Sequence, residues 1–383
     1  MTDQTIKKMS YADVLCKNYK SDTNQIYSET KFKKNKSKNQ FVIESKSKFA
    51  SDLNNRIKML VNKIFKHAKY NANYQLFMRE VVKRILQTDN NSSSIVKSMI
   101  NINNLINSNN IIKFIDIDTS NKNHKWVSDK LTTIIINEYT NIMLKFGLNV
   151  SNSSNSSDLS NLSNSSDVSE SSETLNSSDI SNSLNLSNLR IADIGGGEGD
   201  VINYIGLNLN MNLNNLFCIE SQNSWAESYQ YKNSIQYIFW DNETINIEHN
   251  SLDVIIIMVS MHHMLNSTID KLLTNIKLLL KSTGFVIIKE HDCLNDQHKF
   301  VIDWEHHLYH IMMSSNDKLT NDECFTYINN FISNYKSKSA FDELFVNNGF
   351  IIGPELDRGL KPINTNIDIS NATNLYWRIY YNN

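Results

Sequence analysis

The residues able to do chemistry gather at a few places, each at the end of an apolar run. Arg190-Ile191-Ala192-Asp193-Ile194 leads into Gly195-Gly196-Gly197-Glu198-Gly199-Asp200, where four of the chain's ten glycines fall. Glycine costs backbone entropy, so such crowding marks a turn with unusual φ or the close approach of a ligand. The spacing is Asp193-x-Gly195-x-Gly197-x-Gly199. A dinucleotide fingerprint, Gly-x-Gly-x-x-Gly, fails in both frames, because its last position falls on Asp200 or Ile202. The Gly-Lys-Ser/Thr of a phosphate loop is absent. With acids at Asp193, Glu198 and Asp200, the loop is a poor cradle for pyrophosphate. It suits a ligand carrying a cationic centre and an amino group.

Other polar groups follow the same plan. Leu216-Phe217-Cys218-Ile219 ends in Glu220, roughly twenty residues past the loop, where an α/β nucleotide site places a carboxylate on ribose hydroxyls. The run Ile235 to Trp240 ends in Asp241. Leu252 to Val259 leads into Ser260-Met261-His262-His263, and Phe285-Val286-Ile287-Ile288 into Lys289-Glu290-His291-Asp292. Five apolar runs with polar ends describe a parallel sheet whose site lies at its carboxyl edge. Three ionisable residues in a row at that edge are costly to bury without partners. Further on, Asp303-x-x-His306-His307-x-x-His310 puts His306 and His310 on one helix face. Metal ligation is conceivable from that spacing. With no cysteine nearby, a polar helix face lining the pocket is the preferred reading, and no metal is assigned.

The acidic-x-Gly-x-Gly-x-Gly loop resembles the first motif of the class I S-adenosylmethionine-dependent methyltransferases. The resemblance covers about residues 188–383. It implies a doubly wound, mostly parallel seven-stranded α/β sheet and S-adenosylmethionine as cofactor. The cofactor side would be Asp193, Gly195, Gly197, Gly199, Glu220, Asp241 beside the adenine, and Met258 on the fourth strand. The acceptor side would be Glu290, His291 and His262, the candidate catalytic residues. The Asn/Asp-Pro-Pro-Tyr/Phe of exocyclic-amine methyltransferases is missing after strand four, which argues against base amino groups as acceptors. Ribose methyltransferases use a Lys-Asp-Lys-Glu set, and strand four here ends in Val259-Ser260 rather than an acid. The stretch Phe341-Asp342-Glu343-Leu344-Phe345-Val346-Asn347-Asn348-Gly349-Phe350 resembles the family's junction before strand six. Strand seven, Leu375 to Tyr381, would then lie antiparallel between strands five and six.

The rest of the chain bounds the reading. Residues 1–50 read as a flexible basic arm and 51–148 as a helical region. Residues 149–188 read as a disordered Ser/Asn-rich insert, because they cannot bury enough apolar area to offset ordering entropy. Residues 189–383 form the methyltransferase-like domain. The run Ile111 to Asp118 reads as a short strand, and a long helix is expected from Trp126 to Phe146. Residues 1–70 hold 16 Lys+Arg against 6 Asp+Glu, a balance of +10 in a chain of net charge −2. Lys31, Lys33, Lys34, Lys36 and Lys38 are close enough to hold phosphates without reading bases, so RNA is the expected partner. There is no apolar run of membrane-spanning length and no basic-then-apolar leader, so no membrane is expected and the cytoplasm is the expected location. Cys16, Cys218, Cys293 and Cys324 are scattered, which disfavours a zinc ribbon or disulfide scaffold. Two prolines among many Asn, Lys and Ile suggest an AT-rich genome, such as that of a protist or a large DNA virus. The functional expectation is methyl transfer, with RNA, including an mRNA cap, slightly favoured as acceptor. The alternatives are an inactive fold that binds RNA or a partner, a small-molecule methyltransferase, and a nucleotide-dependent oxidoreductase.

Overall fold

The computed structural model describes residues 39–66, 68, 73–109, 111, 117–145, 186–221, 233–314, 319–356 and 373–383. The lysines at 31–38 and residues 149–185 of the Ser/Asn tract lie outside them. Four helices come first: α1 (Asn39–Ile64), α2 (Tyr74–Leu86), α3 (Ser92–Ser108) and α4 (Ile117–Lys145). Ile57, Leu60, Val61 and Ile64 recur at helical spacing on α1 and are buried. The helix begins well before residue 50, inside the expected arm; no Gly or Pro interrupts the chain between residues 39 and 64. Likewise Ile117 and Asp118, expected in a strand, begin α4.

The sheet follows: β1 (Ile191–Ile194), β2 (Leu216–Glu220), β3 (Gln236–Phe239), β4 (Leu252–Met258), β5 (Leu280–His291), β6 (Phe350–Leu356) and β7 (Leu375–Asn382). Its order is β3-β2-β1-β4-β5-β7-β6. The first five strands are parallel, and β7 runs antiparallel between β5 and β6. Every residue of β1 and β2 is buried. That is why they read as continuous apolar runs: a parallel sheet is covered on both faces. Helix α5 (Asp200–Asn208) follows the glycine loop, α6 (Asn266–Leu279) links β4 to β5, and α7 (Asp296–Met313), α8 (Asn321–Asn330) and α9 (Lys338–Asn347) follow β5. Gly349, at φ +82°, closes α9 before β6 as the Asn-Gly-Phe junction implied. Helix α8 was not anticipated. Its signal was a capping box, in which Thr320 Oγ1 accepts from Glu323 N at 3.2 Å and Glu323 Oε2 accepts from Thr320 N at 2.9 Å.

Three cores result. One sheet face packs on α6 and α9 through Ile255, Ile257, Leu272, Ile276 and Phe345. The other packs on α4 and α5 through Leu131, Ile135, Ile202, Ile205, Val254 and Ile256. Leu186, near the end of the Ser/Asn tract, is fully buried in this second core. The third joins α1, α2 and α3 to α7 and α8 through Leu60, Val81, Met99, Trp304, Leu308 and Tyr327. Helices α1 to α3 therefore complete a core with the segment that follows β5. Among the described residues no helix is long and apolar enough to cross a membrane.

Candidate cofactor and acceptor site

The loop after β1 needs its glycines. Gly195, Gly197 and Gly199 take φ of +74°, +59° and +73°, where a side chain is strained. They differ in what a side chain would meet. At Gly199 a Cβ would sit 2.5 Å from Ile235 Cδ1, whereas at Gly197 nothing lies within 4 Å. Gly199 thus packs the loop on the fold, and Gly197 faces open space. Gly196, which the sequence pattern had passed over, closes on Asp193: its Cβ would lie 2.8 Å from Asp193 Oδ2.

Two buried acids flank this loop. Glu220 Oε1 accepts from Gly197 N. Burial pushes its carboxyl up to about 7, against the pull of backbone donors at Gly197 and Ser221. Asp193 is also raised to about 7, by burial and then by the Glu220 charge. Both Asp193 carboxyl oxygens are buried and find no hydrogen-bond partner among the described residues. Asp241 is different: it is exposed, and it accepts from Glu243 N at 2.8 Å and Thr244 N at 3.0 Å. Those backbone donors hold its carboxyl below the ordinary value.

The other cluster lies at the ends of β4 and β5. Val259 takes φ +51°, a genuine outlier for a β-branched residue. Its N–H donates to Lys289 O at 2.7 Å, which holds the kink. The kink turns Met261-His262-His263 into a short 3₁₀ turn over the sheet edge. Glu290, fully buried on β5, accepts from Met261 N at 2.9 Å and meets His262 Nδ1 at 2.7 Å. His262 Nε2 lies 3.2 Å from His306 Nε2 on α7. His291 Nδ1 donates to Thr373 O at 2.9 Å. Tyr335 and Phe331, from the link between α8 and α9, pack on these rings at 5.0 Å from His262 and 5.6 Å from His306. Burial holds all the rings neutral: His263 falls to about 3, His291 and His306 to about 4, and His262 well below the ordinary value. Burial also raises Glu290 to about 8, against the pull of backbone donors.

Residues 192–288 match the family described as a methyltransferase domain. Residues 192–288 carry a methyltransferase domain. S-adenosylmethionine is its cofactor. A search of curated proteins gives no match. Among solved structures, a methyltransferase from Haloferax volcanii, in complex with the Trm112 methyltransferase activator, is similar at 10% identity. The match covers 51% of this chain and 83% of that one, with a TM-score of 0.37. A SAM-dependent methyltransferase from Aquifex aeolicus matches at 10% identity over 52% of this chain and 86% of its own, with a TM-score of 0.33. A TehB-like enzyme from Corynebacterium glutamicum matches at 12% identity, 51% and 81% coverage, and a TM-score of 0.33.

The residues around the loop after β1 fit such a cofactor. Gly197 leaves room for close approach, Glu220 presents a carboxylate at the loop, and the unpartnered oxygens of Asp193 lie beneath Gly196. These features fit a ligand with hydroxyls, an amino group and a positive charge. When bound, the cofactor supplies an already activated methyl group. Met258 is half-buried at the end of β4, beside the same edge.

The raised acids predict how the methyltransferase domain responds to pH. Folded, Asp193 and Glu220 keep their protons up to about 7, whereas free acids lose them near 3.8 and 4.5. Between those limits the folded state binds more protons than the unfolded one, so these groups make stability fall as pH rises. A cationic ligand favours the ionised acids, so its affinity moves the other way. The melting temperature of the ligand-free protein is expected to lose their contribution from about pH 4 to about pH 7, while S-adenosylmethionine affinity rises. Replacing Asp193 and Glu220 by Asn and Gln should flatten both trends in a melting and calorimetry series.

Proposed function

We propose that the chain transfers the methyl group of S-adenosylmethionine to a nucleophilic acceptor atom, with RNA, including the mRNA cap, as the first acceptor to test. The observation that carries the methyl-transfer reading is the pairing of two groups along one strand edge. The glycine loop with Asp193 and Glu220 lies at β1 and β2, and a buried histidine cluster lies at β4 and β5.

Methyl transfer asks for the nucleophile in line, about 3–3.5 Å from the methyl carbon, and for exclusion of water. It asks for a base only where a proton must leave early. Rings held neutral with depressed proton affinity are weak bases near pH 7, but they accept and donate hydrogen bonds that orient an acceptor. In this reading His291 touches the acceptor, and His262, whose ring nitrogens meet Glu290 and His306, positions the cluster. Glu290 is a positioning residue, because it is fully buried and contacts Met261 N and His262 rather than an open face. Asp241 caps its own turn through Oδ1, which leaves Oδ2 as the atom to reach the adenine.

The charge split supports the RNA reading: a balance of +10 on residues 1–70 leaves −12 on the rest. A transfer assay with radiolabelled cofactor on capped RNA, total RNA, protein and metabolite pools tests it. Label is expected in RNA. Neutralising Lys31, Lys33, Lys34, Lys36 and Lys38 should weaken RNA binding and flatten its salt dependence without changing cofactor affinity. Label confined to metabolites would replace RNA by a small acceptor. Cofactor binding without transfer to any pool would favour the inactive, partner-binding alternative.

A further inference from the structure

We propose that His262, His263 and His306 hold one divalent transition-metal ion at the carboxyl edge of β4. One ring nitrogen from each of the three lies within 4.8 Å of the other two. The rings come from two separate elements. His262 and His263 sit on the 3₁₀ turn that the Val259 kink creates, and His306 sits on α7.

The hydrogen bonds fix which nitrogens carry lone pairs. His263 Nδ1 lies 3.0 Å from Ile332 O, and His306 Nδ1 lies 2.9 Å from Ile302 O. A carbonyl only accepts, so in both neutral rings Nδ1 holds the proton and Nε2 the lone pair. His262 Nδ1 lies 2.7 Å from the Glu290 carboxyl, the carboxylate–histidine arrangement that orients metal-ligating imidazoles. Oriented in this way, all three rings present Nε2 as the ligand atom.

The spacing of His262 and His306 suits an ion. His262 Nε2 and His306 Nε2 are 3.2 Å apart. Two imidazole nitrogens bound at ~2.0–2.1 Å to one tetrahedral ion are about 3.3–3.4 Å apart. Without an ion, a proton must lie between these two nitrogens, since facing lone pairs at that distance repel. The ion-free solution is a single proton shared between the two rings, and an ion replaces it.

The donor set also sets the class of ion. Three neutral imidazoles and no thiolate suit zinc, cobalt, nickel, copper(II) or iron(II), and not magnesium or calcium. Three protein ligands leave a fourth position for water or an acceptor oxygen, as in catalytic rather than structural zinc sites. The readouts below involve no methyl transfer, so this inference stands or falls apart from the proposed activity.

The test uses the full chain without a histidine tag, stripped of metal and titrated with Co²⁺ and then Zn²⁺. We expect one ion per chain, a visible cobalt spectrum of four-coordinate type, its loss as Zn²⁺ displaces Co²⁺, and a raised melting temperature. His306→Ala and His263→Gln should each abolish the cobalt spectrum, and Glu290→Gln should weaken affinity ~10–100-fold. His310→Ala, on the same helix but with its ring stacked on Tyr327 at 3.8 Å, should bind like the wild type. Circular dichroism identifies which variants have folded, and two ligand variants are used so that one unfolded protein does not decide the outcome. No stoichiometric uptake by the folded wild type overturns the proposal. So does uptake that survives in a folded His306→Ala or His263→Gln variant.

Discussion

Lys63→Ala should destabilise the protein by about 3–5 kcal/mol, the usual cost of removing one partner from a buried ion pair. Lys63 Nζ on α1 lies 2.6 Å from Glu305 Oε1 on α7, and the Glu305 side chain is 6% exposed. Burial alone would raise the Glu305 carboxyl. The Lys63 charge and hydrogen bond outweigh it and hold the group at about 2. A depressed acid contributes stability that is fully present above its unfolded value and is lost as pH falls towards its folded value. Here that window runs from 4.5 down to about 2. Acid unfolding monitored by circular dichroism should therefore begin at higher pH in the variant. The double variant Lys63→Met with Glu305→Leu should recover much of the loss, since an apolar pair leaves no stranded charge. A single-variant loss below about 1 kcal/mol would show the pair to be a solvated surface contact.

Gly197→Arg should remove S-adenosylmethionine binding while leaving the fold in place. The residue sits at φ +59°, so any side chain carries about 1–2 kcal/mol of strain. Its Cβ meets nothing within 4 Å, so the side chain would enter the space offered to the ligand rather than the core. The expected result is an affinity loss of at least ~100-fold, about 2.7 kcal/mol, with a similar far-UV spectrum. Gly199→Ala is the counterpart, because its Cβ would collide with Ile235 Cδ1 at 2.5 Å. It should lower the melting temperature more than Gly197→Ala does. Unchanged cofactor affinity in a folded Gly197→Arg protein would move the site elsewhere.

Much of the sheet was legible because a parallel strand buried on both faces leaves an unbroken apolar run, and each run here ends in a polar group. Glu220 and Glu290 could be placed from that pattern alone. Asp241 follows the same pattern, yet its carboxylate caps its own turn. A strand-end acid has both uses, and spacing does not separate them. The meeting of His262 with His306 was not legible, because 44 residues separate them and the Val259 kink brings them together. Nothing in the sequence asks a valine to adopt a left-handed conformation; the Lys289 carbonyl and the surrounding packing impose it. Tyr335 also escaped notice, since it lies in a link without periodicity. The helical region was read correctly as helical and incompletely as a unit. Helical spacing marks which face is buried, but not that α7 and α8 would supply the other half of the core.

The central claim is that the loop after β1 holds S-adenosylmethionine with Glu220 as a charged acceptor. Isothermal calorimetry on the full chain and on Glu220→Ala tests it most directly. We expect one S-adenosylmethionine per wild-type chain and no comparable affinity for a nicotinamide dinucleotide. Loss of a charge-assisted hydrogen bond, of order 1.5–3 kcal/mol, should weaken the variant roughly ten- to a hundredfold. No binding by the folded wild type, or a Glu220→Ala affinity within about twofold of it, would contradict the account.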